Sequence, residues 1–139
     1  AGRPLKAPAE HEPVISGCTS LCVGMVGLSG AGQPLDPEWV FRHEHFLRLS
    51  GLAAGATVTP AAIADVLAHE RGIFKTVPAD AVRIAFCNQA DIPQNLAAGR
   101  QIARILIQEK HTAIHRVVIG QALFDPPITE FYDLKSTPR

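Results

Sequence analysis

The 139-residue sequence lacks the features that would direct it to nucleic acid or to a membrane. Its 13 basic and 13 acidic residues leave no net charge, so no basic field is available to bind a nucleic acid or an anionic lipid surface. No apolar run approaches the ~20 residues that a membrane-spanning helix needs. No signal peptide is visible either. We therefore expect neither a nucleic-acid partner nor a membrane partner.

Cysteine is also scarce. The three cysteines, at positions 18, 22 and 87, are odd in number and form no CxxC pair. This usage suits a reducing cytosol better than a disulfide-bonded secreted domain, and it predicts a cytoplasmic protein. With 47% hydrophobic and 19% charged residues, the chain has the composition of one globular domain.

Charged side chains are concentrated near the beginning, in the segment RPLKAPAEHEPVI (residues 3–15), called here the opening loop. Its three prolines exclude a helix or a central strand, because each removes a backbone donor and fixes φ. An extended loop is predicted. Loops held by a scaffold often carry binding sites, and this one holds five groups that bind charge or transfer protons: Arg3, Lys6, Glu10, His11 and Glu12.

Strand and helix patterns alternate after the opening loop. Strands are predicted at 21–26, 82–87 and 116–119, and helices from Asp36 to about Leu49, from Thr59 to near Gly72, and from Pro93 or Asn95 to Lys110. The tail from Asp125 is predicted to be irregular. The alternation predicts an α/β fold, a three-layer arrangement of mostly parallel strands with helices on both faces. Ligands of such sheets bind beyond the carboxyl ends of the strands, and the loops at Gly27, Asn88 and Gly120, which leave those ends, are expected to line one crevice.

The glycine-rich segment after the first long strand has only part of a phosphate-binding motif. Gly27 to Gly32 matches the G-x-x-x-x-G frame of a P-loop. A P-loop continues with lysine and with serine or threonine, which bind phosphate and magnesium, whereas here Gln33 and Pro34 follow. We interpret this segment as a connector.

The sequence NQAD, residues 88–91, follows the second long strand. Guanine-recognising nucleotide hydrolases carry N-K-x-D at such a place, where the aspartate accepts hydrogen bonds from the base and the asparagine supports the loop. Asn88 and Asp91 keep the polar pair, but Gln89 stands where lysine is usual. The alternative is that Asp91 only caps the following helix.

Glu10, His11 and Glu12 form the one candidate metal site that the sequence suggests, since carboxylates and imidazoles bind zinc and other divalent ions. Adjacent residues of an extended chain point in opposite directions, so Glu10 and Glu12 could share a face while His11 turns away. The alternative is structural: these side chains would hydrogen-bond the opening loop to the rest of the domain.

Several blocks in the same order resemble the YqeC-type proteins, which are selenium-dependent hydroxylase accessory proteins. These blocks are RPLKAPAEHEPVI, the apolar strand after it, GLSGAGQPLDPEWVFR, GIFKTVP and NQAD, and the resemblance extends from Gly2 to about Pro127. It implies that this chain is the remaining part of a P-loop NTPase-like or Rossmann-like fold. Members of the family carry a G-K-T/S loop and an acidic E-A-D-G segment before the block that matches the opening loop, and neither lies in this sequence. Residues 1–139 are therefore expected to be a single domain that forms the C-terminal part of a larger nucleotide-binding α/β domain. Processing of a short leader would also explain the start at Ala1.

The resemblance implies a role in the maturation of selenium-dependent molybdenum hydroxylases. It implies that the complete protein binds ATP or GTP with magnesium and is an NTPase. This part alone is not expected to be catalytic. Arg3 and Lys6 would lie near the phosphates, and Asn88, Gln89 and Asp91 near the base. The implied partners are the client hydroxylase or its maturation machinery and the missing N-terminal part. The alternative function is a nucleotide-independent interaction or delivery module that docks on the client, which the loss of lysine at Gln89 favours.

Overall fold

The computed structural model of the protein describes residues 2–109 and 112–134. Its strands are β1 (Leu5–Lys6), β2 (Leu21–Gly27), β3 (Val40–Phe41), β4 (Val82–Asn88), β5 (Arg116–Gly120) and β6 (Ile128–Asp133). Its helices are α1 (His43–Ser50), α2 (Pro60–Ala68) and α3 (Pro93–Gln108), and a short 3₁₀ turn, Leu28–Gly30, follows β2.

The main sheet has the order β2-β4-β5-β6. β2, β4 and β5 are parallel, and β6 runs antiparallel to β5. The two short strands β1 and β3 form a separate parallel pair, in which Leu5 lies opposite Val40. The predicted α/β class with a mostly parallel sheet is confirmed.

The three predicted long strands are confirmed to within one residue at each end. The prediction of an irregular tail from Asp125 was wrong for residues 128–133, ITEFYD, which form β6, and its last part, 135–139, lies outside the described residues. The segment is rich in β-branched and aromatic residues, which favour strands. Its pairing is reinforced by Arg116 of β5, whose Nε lies 2.6 Å from Asp133 Oδ1 and whose guanidinium lies 4.6 Å from the centroid of the Phe131 ring.

The first predicted helix begins seven residues later than expected, at His43 instead of Asp36. Asp36 does accept main-chain hydrogen bonds, from Glu38 N at 2.9 Å and Trp39 N at 3.3 Å, but these close a turn. Val40 and Phe41 then extend to pair with β1, which buries Val40 completely. A tertiary pairing thus overrides the local helix signal.

The other two helices keep their predicted starts. Thr59 caps α2 by accepting a hydrogen bond from Ala62 N at 3.1 Å, with Pro60 in the first turn. α2 ends at Ala68, earlier than the predicted Gly72, because His69 is already extended. α3 begins at Pro93, and the predicted end at Lys110 lies outside the described residues. No helix within the described ranges is long and apolar enough to cross a membrane.

α3 packs on one face of the main sheet, α2 packs beside α3, and α1 packs against α2. Ile119 of β5 lies against α3 at Gly99, and the apolar residues of α2 and α3 complete a core with Cys87 of β4. The strand order advances in one direction from β2 to β4 to β5. Because such crossovers are right-handed, both connections place their helices on this same face.

The opposite face, called here the open face, carries apolar side chains in register across four strands. Met25, Phe86, Val118 and Phe131 form one row. Met25 and Phe131 are 52% and 54% exposed, and Leu21 and Val23 of β2 are 52% and 47% exposed. The expectation that helices cover both faces is therefore met for one face only within the described residues.

Candidate functional site

Four of the five predicted nucleotide-site residues line one crevice of about 310 Å³ beyond the carboxyl ends of β2 and β4. They are Arg3 and Lys6 from the opening loop and Asn88 and Gln89 from the end of β4. This strand-end crevice brings two cations and two amides together although they are more than eighty residues apart in the chain.

Gly27 permits this close approach. Its N–H donates to Pro4 O at 2.9 Å, which fastens the opening loop to the end of β2. A Cβ atom at position 27 would lie 2.7 Å from Pro4 O and 2.8 Å from Gln89 Oε1, closer than real Cβ contacts allow. The crevice therefore depends on the absence of a side chain at this position.

Gln89 turns the chain sharply where β4 ends. Its φ of 74° lies in the left-handed region, which costs a residue other than glycine about 1 kcal/mol or more. The surrounding residues hold it there: Ser29 Oγ donates to Gln89 Oε1 at 2.7 Å, and Asn95 Nδ2 donates to Gln89 O at 3.0 Å. Asn95 is buried, and its supporting role was not predicted from the sequence.

Asn88 connects the crevice to the loop after β5. Its Oδ1 accepts from Ala122 N at 2.9 Å, and Ala90 N donates to Gly120 O at 3.0 Å. The loops at Asn88 and Gly120 are thus in contact, but only the loops at Gly27 and Asn88 line the crevice among the described residues, so the prediction that all three line it holds in part. The side-chain amide nitrogens of Asn88 and Gln89 make no hydrogen bond to another described residue, so both can donate to a ligand.

Asp91 lies outside the crevice. It is exposed and makes no side-chain hydrogen bond within the described residues. Ile92 occupies the cap position of α3 without a side-chain contact, so Asp91 does not cap the helix through its carboxylate either. The structure does not bring Asp91 together with Asn88 around one ligand.

Phe41 supports the cations of the opening loop, which the sequence did not indicate. The Arg3 guanidinium and the Lys6 ammonium each lie 5.6 Å from the centroid of its ring, and the Arg42 guanidinium lies 4.9 Å from it. The pairing of β1 with β3 sets this geometry, since Lys6 lies opposite Phe41. Aromatic contact orients these cations without neutralising them.

Glu12 forms an ion pair with Arg42. Arg42 donates hydrogen bonds to both carboxylate oxygens of Glu12, and the bond from Nη2 to Oε1 measures 2.9 Å. Lys6 Nζ lies 3.6 Å from Glu12 Oε2. The hydrogen bonds from Arg42 lower the pKa of Glu12 to about 2. Of the two interpretations of the charged cluster, the structural one describes Glu12: it holds the opening loop to the start of α1.

Glu10 and His11 are exposed and do not join Glu12 around a common point. The main-chain oxygen of Glu10 accepts from Lys75 Nζ at 3.0 Å. Among residues 2–109 and 112–134, no three histidine, cysteine, aspartate or glutamate side chains are grouped so that they could hold a metal ion. The structure therefore offers no support for a metal centre at these positions.

The glycine-rich segment after β2 uses its main-chain N–H groups within the fold. Ala31 N donates to Leu28 O at 3.0 Å, Gly32 N to Val58 O at 2.8 Å and Gln33 N to Gly30 O at 3.3 Å. A phosphate cradle needs such groups to be free for the ligand. The interpretation of this segment as a connector is confirmed.

Comparison with known proteins shows which sequences this chain is similar to. A family model described as YqeC protein matches residues 1–44, which include the opening loop and Phe41. The chain is 32% identical over 113 residues to the "Uncharacterized protein YqeC" of Escherichia coli (strain K12), a match that covers 81% of this chain and 44% of that relative. The match thus spans less than half of the relative's length. No solved structure matches the chain.

Proposed function

Because this chain is a YqeC-type protein, we propose that it forms the second part of a cytosolic nucleotide-binding accessory protein for the maturation of selenium-dependent molybdenum hydroxylases. The observation that supports nucleotide binding is the strand-end crevice, which combines Arg3 and Lys6 with the amides of Asn88 and Gln89. Cations suit phosphates, and amide donors suit the carbonyl and ring-nitrogen acceptors of a base.

The crevice is suited to one part of a nucleotide complex only. No carboxylate is among its described lining residues, so this chain supplies no carboxylate ligand for a magnesium ion there. With Asp91 outside the crevice and Gln89 in the place of lysine, a preference for guanine has no support. We propose ATP or GTP as the ligand, with the magnesium ligands and the phosphate cradle contributed by polypeptide outside this chain.

The open face supports a role for such additional polypeptide. The connections from β2 to β4 and from β4 to β5 both proceed in the same direction along the sheet, which puts their helices on the other face. A helix on the open face would have to belong to a right-handed connection between parallel strands that proceeds in the opposite direction along the sheet. No described pair of strands is connected in that way. We infer that the missing N-terminal part covers the open face, and we expect slower amide exchange at residues 21–25 in the full-length protein than in this chain.

Nucleotide titrations test the proposal. Mg·ATP and Mg·GTP are titrated into the full-length protein and its Lys6→Gln, Asn88→Ala and Asp91→Ala variants, with Arg104→Gln as a control for loss of an exposed cation. We expect Lys6→Gln to weaken binding by about tenfold, the value of one charge-assisted contact, and Asp91→Ala to leave it unchanged. Absence of binding, or binding unaffected by both Lys6→Gln and Asn88→Ala, would refute the proposed site.

A second candidate is the nucleotide-independent docking module. Its support is the apolar side chains exposed beside the crevice, in the loop between β5 and β6, where Leu123 is 93% and Phe124 58% exposed. Exposed apolar clusters often mark protein interfaces. Pull-down of the client hydroxylase with and without nucleotide separates the two candidates: a complex that forms equally well in both conditions and is lost in Leu123→Ser supports the docking module.

A further inference from the structure

A second cavity, of about 200 Å³, lies where the opening loop meets α1 and the segment that follows α2. Its lining includes five basic residues and one carboxylate: His45, Arg48, His69, Arg71, Lys75 and Glu10. None of these residues lines the strand-end crevice. The cavity is therefore a separate site, and its residues come from three parts of the chain.

The positive charge of this cavity is not neutralised by ion pairs. Arg48, Arg71 and Lys75 have basic side chains, and none of them takes part in an ion pair within the described residues. Glu10 is the one acidic side chain in the lining. Because the whole chain has no net charge, this local excess is distinctive. A concave surface concentrates such a field and attracts anions.

Lys75 is held in place before any ligand arrives. Its ammonium donates to Ala9 O at 2.5 Å and to Glu10 O at 3.0 Å. The neighbouring Thr76 hydroxyl donates to Pro13 O at 2.8 Å, which fastens the same two segments together. An ammonium has three donors, so one is left for a ligand. This anchoring reduces the entropy lost when the cavity is occupied.

His69 offers a further donor. Its Nδ1 accepts a hydrogen bond from Arg71 N at 3.0 Å. In the neutral imidazole the proton must then lie on Nε2, which becomes an N–H donor.

We propose that this cavity binds a phosphate group, either as inorganic phosphate or as the phosphate ester of a small molecule. A dianionic tetrahedral group accepts hydrogen bonds on several sides, which matches donors that come from both α1 and the 69–75 segment. Arginine pairs of this kind favour phosphate through their planar, forked donors. The volume is below the roughly 300–1,000 Å³ of pockets for drug-sized ligands, so the rest of the ligand is small.

The test is a titration of this chain, followed by ¹⁵N–¹H spectra at low salt, with inorganic phosphate, with glycerol 2-phosphate and with chloride at matched ionic strength. We expect saturable shifts at the amides of 45–49 and 69–75 with one or both phosphates and none with chloride. The stronger of the two phosphates identifies the source of the ligand. Neither probe contains a base, so the result is independent of nucleotide binding in the crevice.

Charge variants of the cavity are expected to change the affinity for phosphate in opposite directions. Arg48→Gln and Arg71→Gln should each weaken binding by about tenfold or more, whereas Glu10→Gln should tighten it because a repelling carboxylate is removed. Arg104→Gln removes an exposed arginine of α3 outside the cavity and should change nothing. Arg48 and Arg71 are exposed, so their variants should fold, which circular dichroism checks. Equal shifts with chloride, affinity retained in the two arginine variants, or shifts at Arg3 and Lys6 instead would overturn this site.

Discussion

Replacing Gly27 with alanine is expected to destabilise the protein and to separate the opening loop from the end of β2. The backbone itself tolerates alanine, since Gly27 has a φ of −85° and a ψ of 114°. The new Cβ atom would however lie 2.7 Å from Pro4 O, 2.8 Å from Gln89 Oε1 and 2.9 Å from Pro4 Cα. Two of these contacts are with main-chain atoms of the opening loop, which must move away.

The size of the effect follows from what is lost. Moving the loop weakens the hydrogen bond from Gly27 N to Pro4 O, worth about 1 kcal/mol. The remaining overlap adds a typical overpacking cost of about 1–3 kcal/mol. We therefore expect a loss of about 2–4 kcal/mol in the free energy of unfolding, which corresponds to a fall in Tm of roughly 6–16 °C.

Urea denaturation of this chain measures the loss, and Gly17→Ala is the matched control. Gly17 has no atom within 4 Å of the position of an added Cβ, so its replacement should change the free energy of unfolding by about 0.5 kcal/mol or less. In Gly27→Ala, amide exchange should also become faster at residues 3–6. Equal midpoints for the two variants, with unchanged exchange in the opening loop, would refute the close approach at Gly27.

Three further predictions follow from the side-chain environments. The pKa of Glu12 falls from 4.5 to about 2 on folding, so its stabilisation is complete above about pH 4.5 and lost as the pH falls toward 2; Glu12→Gln should remove that part of the pH dependence of urea denaturation, and an unchanged pH profile would contradict it. Burial raises the pKa of Cys87 to about 12, so a thiol reagent near pH 8 should modify exposed Cys18 rapidly and Cys87 only on unfolding, and equal rates would contradict its burial. Buried Arg83 donates to three main-chain oxygens, so Arg83→Met should cost about 2–4 kcal/mol in urea denaturation, whereas exposed Arg104→Met should cost less than about 0.5; similar losses would contradict the role of Arg83.

The elements with strong local patterns could be predicted from the sequence. Apolar β-branched runs gave β2, β4 and β5, and Thr59 with Pro60 gave the start of α2. β3 could not be predicted in this way, because its two residues are extended only through their pairing with β1. The composition of β2 also does not show how many of its faces are covered by helices. An apolar strand of this kind can be covered on one face or on both.

The candidate sites, like the fold, could be predicted from the sequence only in part. The meeting of the loops after Gly27 and Asn88 follows from parallel strands, whose carboxyl ends share one edge of the sheet. The position of Asp91 outside the crevice depends on the left-handed turn at Gln89, which its sequence context does not indicate. The basic cavity combines residues from 8 to 75 that only the packing of α1 brings together. Each half of that cluster alone resembles ordinary solvated charge.

The measurement that tests nucleotide binding at the strand-end crevice most directly is a ¹⁵N–¹H titration of the full-length protein with Mg·ATP and Mg·GTP. We predict saturable shifts that are largest at the main-chain amides of Arg3 and Lys6, the amide of Gln89 and the side-chain amide of Asn88. Lys6→Gln should reduce them at the same nucleotide concentration. Saturable binding that leaves all four residues unshifted, or no saturable binding of either nucleotide, would contradict the proposed site.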